Sequence, residues 1–224
     1  MKYSKLSLIF IVLLVFLSPI GGESEQANLS DEFTKHKTLA GEGDAEAEFK
    51  LAEYYRHGIY VSKDNAKEAE LYEKAASQGH IRAQAALANC YALGIGVSRN
   101  PKKAVFWWEK AAVQGYPDSQ YFLGRAYYDG EGVIKNYVEA AKWVTSAAQN
   151  GSAFGRGFLG ILHMEGKGVT KDNIKAYAWL NMVSDWRMYK EHRDELETKM
   201  SQEEIKQAQN LSQKLLKQFG KTIE

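Results

Sequence analysis

One cysteine, Cys90, and three prolines are all the chain has of two residue types that staple or interrupt a fold. A lone thiol excludes an internal disulfide, and no Cys/His set has the spacing of a zinc site. A surplus of one charge is missing too. Lys and Arg number 29 against 28 Asp and Glu, and without residues 1–22, which hold Lys2 and Lys5 and no acid, 27 would face 28. No global basic field therefore exists to recruit nucleic acid or anionic lipid. The five histidines, His36, His57, His80, His163 and His192, show neither H-E-x-x-H nor a paired spacing that converges on a metal. No nucleophile-elbow string and no carboxylate pair tied to one site is visible, so neither metal, cofactor nor catalytic residue is expected. What remains is a chain of 224 residues, 45% hydrophobic, long enough to bury a sizeable core, with 19 glycines to punctuate it.

The first segment reads as an address. Lys2 and Lys5 precede an unbroken apolar run over residues 8–17, and the next charge is Glu23. That is the pattern of a secretory signal, with cleavage expected after Gly22 and Ile20 and Gly22 at the inspected positions. An uncleaved anchor is the alternative, but the charge-free stretch 6–22 falls short of the roughly 20 residues of a spanning helix. The expected product is soluble, lies outside the cytoplasm and has no membrane contact after cleavage.

A 36-residue period organises the rest. Four ungapped units run 43–78, 79–114, 115–150 and 151–186. Glycines open them at Gly43, Gly79, Gly115 and Gly151 and recur mid-unit at Gly58, Gly94, Gly130 and Gly166. Leucine recurs at Leu51, Leu87, Leu123 and Leu159, valine at Val61, Val97, Val133 and Val169, and a large residue at Leu71, Trp107, Trp143 and Trp179. Each unit reads as helix, short loop, helix. A small residue (Ala47, Ala83, Ser119, Gly155), the leucine four later and Tyr55, Tyr91, Tyr127 or His163 four later again make one apolar face at helical spacing. Ala52, Ala88, Gly124 and Gly160 beside the leucine let two helices approach closely. The mid-unit glycine suits the left-handed end of a helix, and Asp64, Asn100, Asn136 and Asp172 suit the start of the next. No unit of this size hides its own apolar face, so neighbours must stack.

The ends of such a stack need covers. Residues from about 30 to 42 read as a half-unit capping helix. Downstream, Ser201 with Glu204 forms a capping-box pattern, and Ile205, Ala208, Leu211, Leu215 and Phe219 make a stripe facing the last unit.

Two signals dissolve on inspection. Gly155-Arg156-Gly157-Phe158-Leu159-Gly160 matches the dinucleotide string G-x-G-x-x-G, but that fingerprint needs a strand before its glycines, whereas these occupy small-residue columns inside a first helix. Their helix-propensity cost, about 1 kcal/mol each against alanine, predicts a soft fourth unit. Cys90 shares a column with Tyr54, Ala126 and Leu162 and reads as a packing residue.

At these residues the chain closely resembles the Sel-one-like repeat family, relatives of the tetratricopeptide repeat. The motif A-x-x-x-L-G-x-x-Y-x-x-G-x-G-V, followed by an Asx and W-x-x-x-A-A-x-x-G, is matched nearly in full by residues 115–150. Tyr60 replaces the second loop glycine and Leu71 the tryptophan in the first unit; His163 and Val183-Ser184 depart from the motif in the fourth. The resemblance implies an all-α, right-handed α/α superhelical solenoid of four 36-residue helix-pair repeats with capping helices at both ends. The organisation is then a signal at 1–22, an N-terminal capping half repeat at 23–42, the four repeats, and C-terminal capping helices at 187–224. It further implies an exported, non-enzymatic adaptor or regulator in a bacterial envelope, periplasmic or secreted, that binds a segment of another protein in a concave groove. By tetratricopeptide analogy that groove is lined by Phe49, Glu53, Arg56, Arg82, Asn89, Tyr121, Arg125 and Tyr128. The alternative is a cell-wall-directed hydrolase of β-lactamase or peptidoglycan type on the same scaffold, although the relatives that suggest it pair cysteines within repeats and this chain cannot.

Overall fold

The computed structural model describes residues 22–183 and 185–219, with side chains from Asp31 onward. The expected signal lies outside them apart from Gly22. The described residues form eleven helices and no strand: α1 (Gly22–Gly41), α2 (Ala45–His57), α3 (Asn65–Ser77), α4 (Ile81–Leu93), α5 (Pro101–Val113), α6 (Pro117–Asp129), α7 (Tyr137–Gln149), α8 (Ala153–Glu165), α9 (Asn173–Asn181), α10 (Arg187–Glu197) and α11 (Gln202–Phe219). None of them is long and apolar enough to cross a membrane. The chain divides into two compact units between Gln78 and Gly79. The first holds α1 and the pair α2–α3. The second holds the pairs α4–α5, α6–α7 and α8–α9, then α10 and α11. Together the four pairs make a helical-repeat fold of the solenoid class.

Local chemistry sets where each helix starts and stops. Gly58, Gly94, Gly130 and Gly166 end the first helices with φ of 67°, 74°, 77° and 71°. Side-chain oxygens of Asp64, Asn100, Asn136 and Asp172 then accept from free amides of α3, α5, α7 and α9 at 2.9–3.1 Å, each cap contributing about 1 kcal/mol. The backbone amides of the same four residues donate to the carbonyls of Tyr55, Tyr91, Tyr127 and His163, so the loop closes the same way in every repeat.

Tyr60 shows which part of the loop pattern is conformational and which is steric. Its φ is 61°, matching Gly96, Gly132 and Gly168 at 67°, 79° and 72°; the loop shape survives the loss of glycine. A Cβ on Gly132, by contrast, would stand 2.4 Å from the Pro101 carbonyl oxygen, and one on Gly168 1.8 Å from that of Tyr137. Those loops press on the second helix of the repeat before. In the first unit the preceding element is α1, and the Tyr60 ring packs there on Phe33 and on Tyr54, at centroid distances of 5.8 and 6.0 Å. That contact offsets a left-handed residue's cost of about 1–2 kcal/mol.

Within the second unit α5 packs on α6, α7 on α8, and α6 on α8. The three glycines of α8 are sites of close approach. A Cβ on Gly155 would meet Ala147 at 2.7 Å, on Gly160 Leu180 at 2.7 Å, and on Gly157 the Tyr189 ring at 2.3 Å. Their propensity cost is thus set against packing on three sides.

A buried polar column accompanies the apolar ones. Glu48, Gln84, Gln120 and Arg156 are all buried, and in three repeats the amide thirty residues on donates to them: Gln78 to Glu48 at 2.8 Å, Gln114 to Gln84 at 2.8 Å and Asn150 to Gln120 at 3.0 Å. Gln120 also donates to the Ala112 carbonyl at 3.0 Å, which ties one repeat to the next. In the fourth repeat the equivalent position is Trp186, which carries no amide. Arg156 instead donates to the Ala148 carbonyl at 3.3 Å and to the Phe219 carbonyl at the end of α11.

The C-terminal cover forms as its sequence indicates. Ser201 and Glu204 make the reciprocal capping box, at 2.8 and 3.3 Å. Ile205, Ala208, Leu215 and Phe219 pack into the cores of the last repeats. Ser212, fully buried beside them, accepts from Asn181 at 3.2 Å.

Candidate partner-binding face

The eight expected groove residues fall three in the first unit and five in the second, and packing has already engaged several of them. Phe49 is 4% exposed and Tyr121 8%. Their column, Phe49, Ala85, Tyr121 and Gly157, is buried in all four repeats. This corrects the groove reading for Phe49 and Tyr121. Within this column the Phe49 ring packs on Tyr72, and the space beside Gly157 is filled by the Tyr189 ring.

The next column is engaged differently. The buried Tyr72 hydroxyl donates to Glu53, and Trp108 Nε1 donates to Asn89 Oδ1 at 3.0 Å. Both pairs are nineteen residues apart, joining the second helix of a repeat to its first. Glu53 also faces Arg56 and His57, each at 3.4 Å. Arg56 reaches the buried Glu68 at 4.0 Å, so Glu53 and Arg56 form one ionic cluster around Tyr72. Burial and the Glu53 carboxylate push the Tyr72 hydroxyl well above the usual phenol range.

Where the second helix brings an aliphatic residue, the column needs no hydrogen-bond acceptor. Val144 and Leu180 stand opposite Gly124 and Gly160, filling the space of the absent Cβ, and neither carries a polar tip. Arg125, the residue of this column in the third repeat, is exposed. Its Nε donates to Asp129 at 2.7 Å and its guanidinium lies 5.5 Å from the centre of the Phe158 ring. Partial burial acts against its charge, but Asp129 and the Tyr121 hydroxyl outweigh it.

Around Arg125 the rings form a continuous chain. Phe154 stacks on Tyr121 at 5.4 Å and meets Trp186 edge-on at 4.7 Å; Trp186 stacks on Tyr189 at 6.1 Å. Tyr121 and Tyr128 both meet Phe158 edge-on, at 6.0 and 5.1 Å. Phe154 is 39% exposed and Trp186 40%. At the far end the Tyr128 hydroxyl donates to Glu165 and accepts from Lys167, both at 2.7 Å. Burial acts to raise the Glu165 carboxyl, yet Tyr128 and Lys167 hold it below its ordinary value. The arrangement joins two half-exposed aromatic rings and an exposed cation in one connected cluster of side chains. Arg82 lies exposed on α4 of the same unit.

Sequence reasoning missed Trp186 and Lys167. Trp186 closes the fourth repeat at a position where the others carry an amide, and that break in the column was the available signal. Lys167 sits between two loop glycines at a position held by Ile59 and Ile95 in the first two repeats and by Glu131 in the third.

Four Sel1 repeat matches cover residues 45–80, 81–116, 117–152 and 157–182. A Sel1 repeat protein of Oxalobacter formigenes is similar over 73% of this chain and 48% of its own, at 31% identity and a TM-score of 0.65. A protective antigen present in uropathogenic Escherichia coli strains, displaying an SLR fold, is similar over 84% of this chain and 48% of its own, at 29% identity and a TM-score of 0.58. The chain thus spans about half the length of these relatives. No curated protein matches the sequence. With the repeat model covering more than half of the chain and each match holding a helix pair closed by the same loop, the protein belongs to the Sel1 repeat family.

Proposed function

We propose that the protein is an exported, non-enzymatic adaptor that captures a segment of another protein on the first-helix face of its second unit. Sel1 repeats are in general protein–protein interaction scaffolds, and the finer reading rests on one observation: Arg125 lies over the Phe158 ring, which Tyr121 links to the half-exposed rings of Phe154 and Trp186, on mutually packed helices. Large aromatic and arginine side chains carry most of the energy of protein interfaces, and a face already ordered by packing loses little entropy on binding. Arg82 and Tyr128 extend the surface and Tyr121 supports it from within, while Asn89 is engaged by Trp108 and, in the first unit, Phe49 and Glu53 by Tyr72. The apolar run after Lys2 and Lys5 supports delivery to a bacterial periplasm or exterior. Nothing in the described geometry favours the hydrolase alternative.

Replacing Arg125 with Glu and both Phe154 and Trp186 with Ala tests the face. In crosslinking within the native envelope, the triple variant should lose the proteins captured by the parent chain while keeping its helicity. Undiminished capture by a folded triple variant would refute the assignment, and turnover of peptidoglycan fragments or β-lactams by the purified protein would overturn the adaptor reading itself.

A further inference from the structure

The second unit carries another surface, along the edge where first helices end and second helices begin. Contacts make this edge continuous. Loop 130–136 lies on the start of α5, where Gly132 approaches Pro101 and Arg99 pairs with Glu131. Loop 166–172 lies on the start of α7, where Gly168 approaches Tyr137 and the Lys167 ammonium stands over the Tyr128 and Tyr137 rings at 4.8 and 5.4 Å.

A basic residue recurs along the edge at Arg99, Lys135 and Lys171, each exposed and five positions after a helix-ending glycine. The stems of Lys135 and Lys171 begin packed on that glycine, their Cβ atoms 3.1 Å from where a Cβ on Gly130 or Gly166 would lie. Arg99, Lys142, Lys167 and Lys175 are matched by Glu131, Glu139, Glu165 and Asp172. Lys102, Lys103, Lys135 and Lys171 are exposed and have no carboxylate partner among the described residues; Lys103 and Lys135 lean on tyrosine rings instead, at 4.9 and 5.9 Å. Among these four cations stand Ile134, 90% exposed, and Val138, 66% exposed.

We propose that this edge docks on an anionic lipid bilayer, Ile134 and Val138 entering the boundary between headgroups and acyl chains while Lys102, Lys103, Lys135 and Lys171 meet lipid phosphates. The proposal stands apart from the partner-binding face. A nearly fully exposed aliphatic side chain on a loop tip is a knob, which a fluid interface accepts without a preformed pocket, whereas an acidic protein would need a cavity shaped to it. The balanced charge of the whole chain is no obstacle, because fields at physiological salt decay over about 8 Å and the bilayer meets only the local patch.

The test is sedimentation of the full chain with vesicles of phosphatidylcholine alone or mixed with phosphatidylglycerol, with amide exchange read at residues 131–138. Phosphatidylglycerol should raise binding and slow exchange in that stretch. Changing Lys102, Lys103, Lys135 and Lys171 together to Gln should lower the phosphatidylglycerol-dependent affinity more than a hundredfold, at roughly fivefold per lysine. Ile134→Asp, at a site too exposed to disturb folding, should weaken binding several-fold on its own. Phosphatidylglycerol dependence that survives the lysine changes would place the contact elsewhere, at Lys2 and Lys5 for example, and overturn the proposal. Unaltered exchange at 131–138 would do the same, as would lysine-dependent binding of polyglutamate in place of vesicles, which would assign the edge to an acidic protein.

Discussion

The first two repeats and the last two solve one packing problem in opposite ways. In the former, an alanine (Ala52, Ala88) accompanies a second-helix aromatic with a polar tip, and a first-helix residue must accept its hydrogen bond: Glu53 for Tyr72, Asn89 for Trp108. In the latter, a glycine lets Val144 or Leu180 fill the gap, and nothing needs an acceptor. The same column is therefore hydrogen-bonded in the first two repeats, exposed at Arg125 in the third, and packed against the core through Ile161 in the fourth. A repeat protein can create a binding position by changing a core residue nineteen positions away.

The sharpest way to break this contrast is at the loops. Gly168→Ala should cost about 3 kcal/mol or more, since the new Cβ meets backbone rather than a side chain that can move. Tyr60→Gly, at the equivalent position, should change stability by under about 1 kcal/mol, because relief of the left-handed residue and loss of ring packing oppose each other. Denaturant melts of the two variants compare them directly.

Next come the acceptors. Glu53→Leu removes the acceptor of the buried Tyr72 hydroxyl proton and should destabilise by about 1–3 kcal/mol. Arg125→Leu should cost less than about 0.5 kcal/mol by the same measurement, because its ion pair with Asp129 is exposed and a leucine can still cover the Phe158 ring. An effect of opposite sign is expected at Ser119. Its hydroxyl is buried without a partner among the described residues, in a column otherwise occupied by Ala47, Ala83 and Gly155. Ser119→Ala should therefore raise stability by about 0.5–1 kcal/mol.

Acid should separate the regions more gently. Burial raises the carboxyls of Glu48 and Glu68 above their ordinary value of 4.5, against the pull of Gln78 and Arg56. Burial also acts upward on Glu165 and Asp172, but Tyr128 and Lys167 for the one, and Lys175 for the other, bring both below their ordinary values of 4.5 and 3.8. A raised group contributes stability that is present below its unfolded value and lost as pH rises through the folded one. A lowered group contributes stability present above its unfolded value and lost as pH falls through the folded one. Acidification below about pH 4.5 should thus open amides around 165–172 before those around 48–68, read by pulsed hydrogen exchange.

Much of this architecture was legible because a 36-residue period exposes any column whose residue type is fixed by backbone geometry or by small size. The left-handed glycines, the Asx caps and the Ser201 capping box all belong to that kind. Columns whose members covary were harder to read. Glu53, Asn89, Arg125 and Ile161 look like a variable surface until each is paired with the residue nineteen positions on, and Phe49 and Tyr121 look available until Ala85 and Gly157 are seen to be buried at the same position of their repeats. Net charge misled in another way, since cancellation over the whole chain conceals four unmatched lysines on one edge.

Double-mutant cycles test the central claim most directly. Coupling between Glu53 and Tyr72 (Glu53→Leu, Tyr72→Phe), and between Asn89 and Trp108 (Asn89→Leu, Trp108→Phe), should reach about 1 kcal/mol or more, while that between Arg125 and Val144 (Arg125→Leu, Val144→Ala) should stay below about 0.5 kcal/mol. Equal coupling in all three would mean that the third repeat holds its arginine as firmly as the first holds its glutamate, and the idea of a column freed for binding would be contradicted.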